Sequence, residues 1–478
     1  RTLRILEFDK IRQRVAALAS CELGKELALT LEPSTSLEEV AARQQETTEA
    51  KEIWSGVNQV PLGGIFNLQR QIKEAQIGRM LTPEDLLAVH STLRAIRRLK
   101  KFFLNAEEER YPAFYGLASG LLPFPQVEEA IDRAIAPEGL VRDEASPKLR
   151  SLRSQMRNLQ SRVREKLEST VRSEMGRKYL QEALVTMRNG RYVLPVRQEY
   201  KALFSGIVHD QSASGATLFI EPTAVVEMNN QLRQVEAEEE KEVIRILSLL
   251  SQGVGEIAEE MLSNLRVLAW IDLAFAKARY SLDIGGTEPI LNNRGYIRLI
   301  GARHPLLKGE VVPIDLEIGG EFHTLVITGP NTGGKTVSLK TAGLLTMMSQ
   351  AGLHLPARSG SEMGVFSGVY SDIGDEQSIE QSLSTFSSHM THIVAILREA
   401  TDERSLVLLD ELGAGTDPTE GAALAVAILK ALHRRKVRTI ATTHYNDLKV
   451  FAYNTQGIQN ASVDFDPDTL RPTYRLLI

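Results

Sequence analysis

The sequence has little cysteine and no long apolar run. Cys21 is its one cysteine, which excludes an internal disulfide framework and a zinc site built from several cysteines. We therefore expect a reducing compartment, the cytoplasm. No apolar stretch approaches the roughly 20 residues that a membrane-spanning helix needs, and no signal-peptide pattern opens the chain. These absences argue against a membrane protein and against a disulfide-rich secreted protein.

The chain also lacks a strong charge of either sign. Its net charge is −5, from 56 Lys and Arg residues against 61 Asp and Glu residues. Any contact with nucleic acid therefore needs a local basic surface. With 478 residues the chain is too long for one ordinary core, and about two to four domains are expected. It begins at Arg1 and ends within a predicted strand, so we expect it to be part of a longer protein.

The most informative stretch lies in the last third of the chain, where an apolar run meets a glycine-rich turn. Leu325, Val326 and Ile327 predict a buried parallel strand. The next residues match G-x-x-x-x-G-K-[ST], whose glycines let backbone N–H groups surround phosphate oxygens. Lys335 would place its charge on the β- and γ-phosphates, and the Thr336 hydroxyl would ligate Mg²⁺. The residues predicted to bind nucleotide here are Gly329, Pro330, Asn331, Thr332, Gly333, Gly334, Lys335 and Thr336.

A second buried-strand pattern, at 405–409, ends in two acidic residues. Asp410 fits the carboxylate that holds Mg²⁺, and Glu411 fits the group that orients or deprotonates the attacking water. An apolar run that ends in Asp-Glu is weak evidence by itself, because many strands end in this way. Together with the phosphate loop, it predicts an ATPase domain that uses ATP and Mg²⁺.

Three further segments fit this domain. Ser384 opens a helix with hydroxyl groups and free N–H groups, which favours the binding of an anion. His444 ends a third apolar strand and fits a γ-phosphate sensor, although a lone histidine is more often structural. Between these segments, Asp417 is predicted to cap a helix that has Pro418 at its first position.

Helical patterns dominate the first part of the chain. Residues 1 to about 110 show helical spacing, and a long basic helix is predicted from Ser146-Pro147 to about Met175. Its candidate partner, at 225–265, is rich in glutamate. Antiparallel pairing of the two would form a projecting arm. The alternative is that some of the arginines contact a nucleic-acid backbone, and the sequence favours neither.

A β-rich stretch separates the two long helices. Asn189-Gly190 between β-branched flanks predicts a hairpin, and two more strands are predicted at 204–209 and 216–220. A small sheet at the tip of an arm is the simplest arrangement. Its basic residues lie near tyrosines and are candidate nucleic-acid contacts. These residues are Arg177, Lys178, Arg188, Arg191, Arg197 and Lys201.

The predicted architecture is multidomain, α followed by α/β. A helical core occupies 1–145, and the long helices with a β insertion at about 177–225 occupy 146–290. From about Leu291, short apolar strands alternate with helices, which is typical of a parallel α/β sheet. A P-loop ATPase domain is therefore predicted at 291–478.

Five motifs resemble the ATPase domain of the MutS family, which is of the ABC type. They are ARHP, TGPNTGGKT, STF, DELGAGT and TTHY, and the match covers roughly 300–478. The helical core, the arm and the small sheet resemble the MutS core, lever and clamp. The segment 210–222 and the run DELGAGTDPTEG are similar to the second bacterial paralogue of the family. Mismatch-repair members usually carry arginine at the position of Ala414.

The resemblance implies a homodimer whose ATP sites are shared by both subunits. Ser384 of the partner subunit would reach the γ-phosphate, Asn331 would contact it as well, and Tyr474 would stack on adenine. It further implies a clamp for branched or structured DNA, suppression of homologous recombination, and in some members the rescue of collided ribosomes through rRNA. The residues that each subunit would supply to its own site are Lys335, Thr336, Asp410, Glu411 and His444.

The departures from the family pattern bear on function. Mismatch-repair MutS carries a mismatch-reading domain with a Phe-x-Glu wedge, whereas this chain starts with the helical core. Its one Phe-x-Glu, at Phe219, lies in a predicted strand, so a mismatch-repair ATPase is the less favoured alternative. The Smr nuclease domain typical of the paralogue is missing, so we expect no nuclease activity from these residues. An alternative of another class is a structural tether, in which ATP hydrolysis only resets dimerisation.

Overall fold

The structure is a computed structural model that describes residues 1–56, 60–105, 109–330, 333–374, 385–414, 416–466 and 471–478. These residues form two compact units. The first comprises Arg1–Asn67, Ala95–Leu122 and Ser263–Ile478, and the second comprises Leu68–Arg94 and Pro123–Leu262. Each unit therefore combines segments that are distant in sequence. The division at 145 and 290 follows the linear order of the chain and stays a prediction.

Helices are the main elements of the described residues up to Asp283, apart from the small sheet. The α-helices up to Asp283 are α1 Thr2–Ile5, α2 Phe8–Ala17, α3 Glu22–Leu29, α4 Leu37–Gly56, α5 Gln69–Gln76, α6 Pro83–Leu104, α7 Pro112–Ser119, α8 Pro125–Ala134, α9 Pro147–Arg172, α10 Glu174–Tyr179, α11 Thr223–Glu256 and α12 Ala258–Asp283. Those that follow are α13 Lys335–Gln350, α14 Thr385–Glu399, α15 Pro418–Arg434 and α16 Asn446–Asn454.

The strands of the described residues form three sheets. They are β1 Thr186–Arg188, β2 Arg191–Arg197, β3 Gly206–Gln211, β4 Thr217–Pro222, β5 Ile290–Asn292, β6 Ile297–Ala302, β7 Ile314–Ile318, β8 Thr324–Thr328, β9 Glu362–Gly364, β10 Gly368–Asp372, β11 Ser405–Leu409, β12 Arg438–Thr442, β13 Ile458–Asp466 and β14 Arg471–Leu477. The strand orders are β1-β2-β4-β3, β5-β9-β6-β7 and β10-β11-β12-β8-β13-β14. The fold is thus mixed α/β.

The largest sheet belongs to the first unit, and its strands β10, β11, β12, β8 and β13 run parallel. Successive residues of β8 enter different cores: Leu325 and Ile327 pack with α13, whereas Val326 packs with Ala425 and Leu429 of α15. Helices therefore cover both faces, which explains the uninterrupted apolar runs at 325–327 in β8 and at 406–409 in β11. The carboxyl ends of β8, β11 and β12 meet at one edge, and ligands bind at that edge in such sheets.

In the second unit, α9 and α11 run antiparallel. Ser146, which caps α9, donates to Glu242 at 2.8 Å, and Arg153, about two turns further along, donates to Glu239 at 2.8 Å. The buried residues of α9 are Leu149, Leu152, Val163 and Leu167. α9 ends at Arg172, slightly before the predicted end near Met175. The reason is that the Ser173 hydroxyl accepts the N–H of Gly176 and so caps α10.

The small sheet of the second unit begins with the predicted hairpin. β1 and β2 pair antiparallel, and the connecting residues Asn189 and Gly190 have φ values of +51° and +70°. Two left-handed residues form the turn that suits a two-residue hairpin, so this prediction is confirmed. Buried residues Leu194 and Ile220 of the sheet pack with Val163 of α9 and Val225 of α11. No helix of the described ranges is both long and apolar enough to cross a membrane.

Candidate nucleotide-binding site

The loop after β8 contains two glycines in left-handed backbone conformations. Gly329 has a φ of +135° and Gly334 a φ of +90°. Residues with a side chain rarely adopt these angles, so glycine is needed at both positions. α13 begins directly after Gly334, so its unpaired N–H groups face the loop. The predicted strand and helix are confirmed. Asn331 and Thr332 lie outside the described residues.

The middle of this loop packs tightly against the sheet. The carbonyl of Pro330 accepts the N–H of Gly333 at 3.0 Å. A Cβ at Gly333 would lie 3.1 Å from Cγ1 of Val463 on β13. Glycine at this position therefore lets the backbone lie close to β13.

Lys335 is held on the inner side of the loop. Its side chain is 2% exposed, and Nζ donates to the carbonyl oxygen of Gly329 at 2.5 Å. Burial lowers the pKa of Lys335, while the nearby charges of Glu411 and Asp410 act in the opposite direction. The ammonium group thus donates a hydrogen bond to the first glycine of the loop and is also attracted by the charges of two acidic residues.

Asp410, directly after β11, is fixed by hydroxyl groups from two other elements. Oδ2 accepts the Thr336 hydroxyl of α13 at 2.8 Å, and Oδ1 accepts the Thr442 hydroxyl of β12 at 2.5 Å. The N–H of Asp410 donates to the carbonyl of Asp372 on β10 at 2.9 Å. The carboxylate predicted to hold Mg²⁺ therefore lies beside the hydroxyl predicted to do the same.

Glu411 has a strained backbone. Its φ is +47°, in the left-handed region that residues with a side chain rarely occupy. Its N–H donates to Thr442 Oγ1 at 2.8 Å, and its carbonyl accepts the N–H of Ala414 at 3.0 Å. Strain of this kind costs about 1–3 kcal/mol and gathers at functional sites. The turn directs the chain away from β11 just where the predicted water-activating residue lies.

His444 lies two residues beyond β12 and is exposed. Its ring centroid is 4.3 Å from that of Tyr445. The Tyr445 hydroxyl donates to the carbonyl of Gly413 at 3.0 Å, so the segment carrying His444 is tied to the turn after Glu411. The two strand ends that carry predicted catalytic residues are therefore joined.

Tyr474, on β14, contacts the phosphate loop. A Cβ at Gly334 would lie 3.2 Å from Cδ1 of Tyr474, so the ring packs on the last glycine of the loop. The tyrosine is half exposed, and its φ is +58°. The structure thus places an aromatic ring beside the loop, as the predicted adenine-stacking role requires, and the role itself stays a prediction.

Comparison with known proteins finds similarity to MutS proteins. Residues 325–475 match the model described as MutS domain V. The whole chain is 55% identical to a protein named Endonuclease MutS2 from Geobacillus sp. strain WCH70, and it covers 61% of that protein. It is 50% identical, again over its whole length, to the Putative endonuclease MutS2 of Bacillus subtilis strain 168, of which it covers 61%.

The chain is therefore similar over its whole length to proteins named MutS2. A third relative, the Endonuclease MutS2 of Symbiobacterium thermophilum, is 54% identical, and the chain covers 60% of it. The predicted similarity to the second bacterial MutS paralogue is confirmed by these names. The chain thus spans about three fifths of the length of these relatives.

Two features of this candidate nucleotide-binding site were not predicted from the sequence. Thr442 contacts both acidic residues, and Asp372 of β10 binds a histidine: its Oδ2 lies 2.8 Å from Nδ1 of His389 on α14. Thr442 carried a weak signal, since a hydroxyl ended a strand next to the acidic strand. The pairing of Asp372 with His389 depends on strand order and had no local signal. The predicted Ser384 lies outside the described residues.

The basic residues predicted in and near the small sheet of the second unit differ in their surroundings. Arg191 donates to both oxygens of the buried Glu221, at 2.9 and 3.1 Å, and to Asn230 at 2.7 Å. Arg188 lies 3.3 Å from Asp210, and its Cζ is 4.2 Å from the centroid of the Phe219 ring. Both guanidinium groups therefore already have partners within the sheet.

The remaining candidates are more open to a ligand. Arg177, Lys178 and Lys201 are exposed, and Arg197 is half-buried. Lys178 lies 5.9 Å from the centroid of the Tyr179 ring. The exposed cations of this group therefore offer the better candidates for contact with phosphate groups.

Proposed function

We propose that this chain hydrolyses ATP with Mg²⁺ between the ends of β8, β11 and β12. The observation that carries the proposal is the 2.8 Å hydrogen bond from Thr336 to Asp410, which joins the phosphate-loop helix to the acidic strand. Hydroxyl and carboxylate oxygens are the donors that Mg²⁺ prefers, so this pair fits the ion. Thr336 and Asp410 would hold the ion, whose positive charge would offset the negative charge that develops on the phosphates during hydrolysis.

The other residues of the site would have separate roles in ATP binding and hydrolysis. The phosphate loop and the start of α13 would hold the phosphates through backbone N–H groups. Lys335 would neutralise part of the phosphate charge. Glu411 would orient the attacking water and accept its proton. His444 would contact the γ-phosphate, and Tyr474 would stack on adenine. The contacts of Lys335 with Gly329 and of Tyr474 with Gly334 support these assignments.

We further propose a homodimer in which Ser384 of the partner subunit completes each site. Similarity to MutS proteins and the STF motif support this arrangement. A group supplied by the partner makes the interface depend on ATP, so that hydrolysis can open and close a clamp.

The ligand that we propose for this clamp is branched or structured DNA, recognised by shape and charge, in the cytoplasm. The exposed cations at 177, 178 and 201 support contact with phosphates, which carries little sequence information. Suppression of recombination, and binding of ribosomes through rRNA, are roles that the family likeness makes worth testing. The relatives are named endonucleases, and for this chain we propose ATP hydrolysis alone.

Two substitutions test the proposed site. Glu411→Gln should leave ATP binding largely intact and lower the hydrolysis rate by about 10² or more, the range for loss of a general base. Lys335→Ala should weaken nucleotide binding as well. Phosphate release and binding of a fluorescent ATP analogue measure the two effects.

The matched control is Glu420→Gln, which removes an equal charge from an exposed residue of α15. It should hydrolyse ATP at the parent rate. Unchanged turnover in Glu411→Gln would show that another residue activates the water.

A further inference from the structure

Thr442 occupies the point where the three strand ends of the site meet. It is the last residue of β12, is fully buried, and pairs with Ile327 at the end of β8. On the other side of β12, Ala441 pairs with Leu409, the last residue of β11. Thr442 therefore lies between the strand that leads into the phosphate loop and the strand that leads into the acidic pair.

Its polar atoms contact three consecutive residues of the acidic segment. The hydroxyl donates to Asp410 Oδ1 at 2.5 Å and accepts the N–H of Glu411 at 2.8 Å. Its carbonyl accepts the N–H of Leu412 at 3.0 Å. A hydroxyl has one proton to donate, and here that proton is directed at the carboxylate. The segment is thereby fixed at its side chain and its backbone.

The two hydrogen bonds of the hydroxyl act on different parts of the site. Thr336 binds one oxygen of Asp410, and Thr442 binds the other, so the carboxylate cannot rotate without losing a partner. The bond to the N–H of Glu411 stabilises a residue whose φ is +47°. Loss of the hydroxyl would leave that N–H without this acceptor in a half-buried place.

We propose that Thr442 is a positioning residue that sets the orientation of Asp410 and of Glu411 together. This inference rests on the proposed ATPase function. Thr442 itself contacts neither phosphate nor water in this role. It acts through the residue proposed to hold Mg²⁺ and through the backbone of the residue proposed to activate the water. Groups that orient a metal ligand typically contribute about 10- to 100-fold in metal affinity or activity.

The test compares Thr442→Val with Thr442→Ser. Valine keeps the branched shape without the hydroxyl, and serine keeps the hydroxyl. We expect Thr442→Val to lower kcat by about 10- to 100-fold and to raise the Mg²⁺ concentration needed for half-maximal binding of a fluorescent ATP analogue. Binding of the analogue without Mg²⁺ should be unchanged. Thr442→Ser should restore most of both properties.

Thr439→Val is the matched control. Thr439 is buried on the same strand, and its hydroxyl donates only to the carbonyl of Val437, at 3.3 Å. This variant should keep the parent values of kcat and of Mg²⁺ dependence. Thermal unfolding of all variants shows whether an effect comes from loss of the fold.

The outcomes separate this inference from the function on which it rests. Parent-like kcat and Mg²⁺ dependence in Thr442→Val, with Glu411→Gln inactive, would overturn the role of Thr442 and leave the ATPase intact. Equal losses with and without Mg²⁺, not restored by serine, would show a merely structural residue. If the unsubstituted chain neither binds nor hydrolyses ATP, both proposals fall.

Discussion

At the scale of single residues, burial decides which groups change charge near neutral pH. His304 and His354 are both buried in the first unit. Burial lowers the pKa of His304 from 6.5 to about 4 and that of His354 to about 3. Neutral rings suit their contacts: Nδ1 of His304 accepts the N–H of Leu306 at 3.3 Å, and Nδ1 of His354 lies 2.8 Å from the Ser281 hydroxyl.

These shifts predict that acid destabilises the first unit. Below pH 6.5 the unfolded chain protonates both histidines, whereas the folded chain protonates them only near pH 4 and pH 3. Unfolding should therefore become easier by about 1.4 kcal/mol per pH unit for each histidine as the pH falls through this window. Urea unfolding at pH 7, 6 and 5 measures the slope. The chain has two tryptophans, Trp54 and Trp270, and both report on this unit.

The variant His354→Gln isolates one contribution, because glutamine stays neutral and can still form hydrogen bonds. Its stability should depend on pH less steeply, by the share of one histidine. An identical slope in the variant and the parent would mean that His354 is protonated at the same pH in the folded and unfolded chain.

At the scale of elements, the small sheet of the second unit is organised by one buried carboxylate. Glu221, on β4, is fully buried and accepts from Arg191 of β2 and from Asn229 of α11. His209 of β3 lies 2.5 Å from its other oxygen. Residues of three strands and one helix thus form or contact the Glu221 carboxylate group. Removal of one partner from such a cluster leaves the others buried and unpaired.

We therefore expect Glu221→Ala to destabilise the sheet by about 3–5 kcal/mol, the range for a broken buried ion pair. Hydrogen exchange of the backbone amides of β2, β3 and β4 measures the effect locally. Glu199→Ala, which removes an exposed carboxylate from the same region, is the control and should leave exchange unchanged. Equal exchange in the two variants would show that the cluster contributes little.

Local patterns predicted these elements well, and long-range contacts account for what was missed. Patterns of neighbouring residues predicted the strands β8, β11 and β12 and the Asp417 cap of α15. The structure has all four. The strand order β10-β11-β12-β8 is set by packing between distant segments. For that reason the sequence predicted Asp410 and Thr336 as partners in function, but neither Thr442 nor the burial of Arg191 against Glu221.

At the scale of the whole molecule, nucleic-acid binding should depend on exposed charge. The combined substitution of Arg177, Lys178 and Lys201 by alanine should weaken binding to all duplex sequences alike. Each lost phosphate contact lowers the slope of log K against log salt by about 0.9, so the slope should fall by roughly two to three. Titrations of branched DNA at several salt concentrations measure this slope.

A matched control removes three exposed cations elsewhere in the second unit, by alanine at Arg70, Lys73 and Arg94. It should change the slope little. A slope that falls only in the control would locate the contacts on α5 and α6. Strong preference for a mismatched duplex would favour the mismatch-repair alternative. Faster ATP turnover with branched DNA or ribosomes would favour a clamp over a structural tether.

The proposed shared site predicts complementation between defective chains. Chains with Ser384→Ala are mixed with chains with Lys335→Ala. A mixed dimer would have both defects in one site and an intact second site, so part of the ATP turnover should return. Native mass spectrometry confirms that mixed dimers form. Their presence without any recovery would mean that each chain uses its own Ser384.

The discontinuous first unit has a consequence for synthesis on the ribosome. Leu6 lies beside Gly343 of α13, where a Cβ would be 2.9 Å from Leu6 and 2.4 Å from Leu408 of β11. The apolar face of α2 joins the same core. At about 5–20 residues per second, roughly 20 to 80 s separate the synthesis of Asn67 from that of Ile478. Until the strands of the sheet have been synthesised, the apolar faces of the first helices stay exposed. We therefore expect a chaperone to bind the nascent chain mainly at these helices.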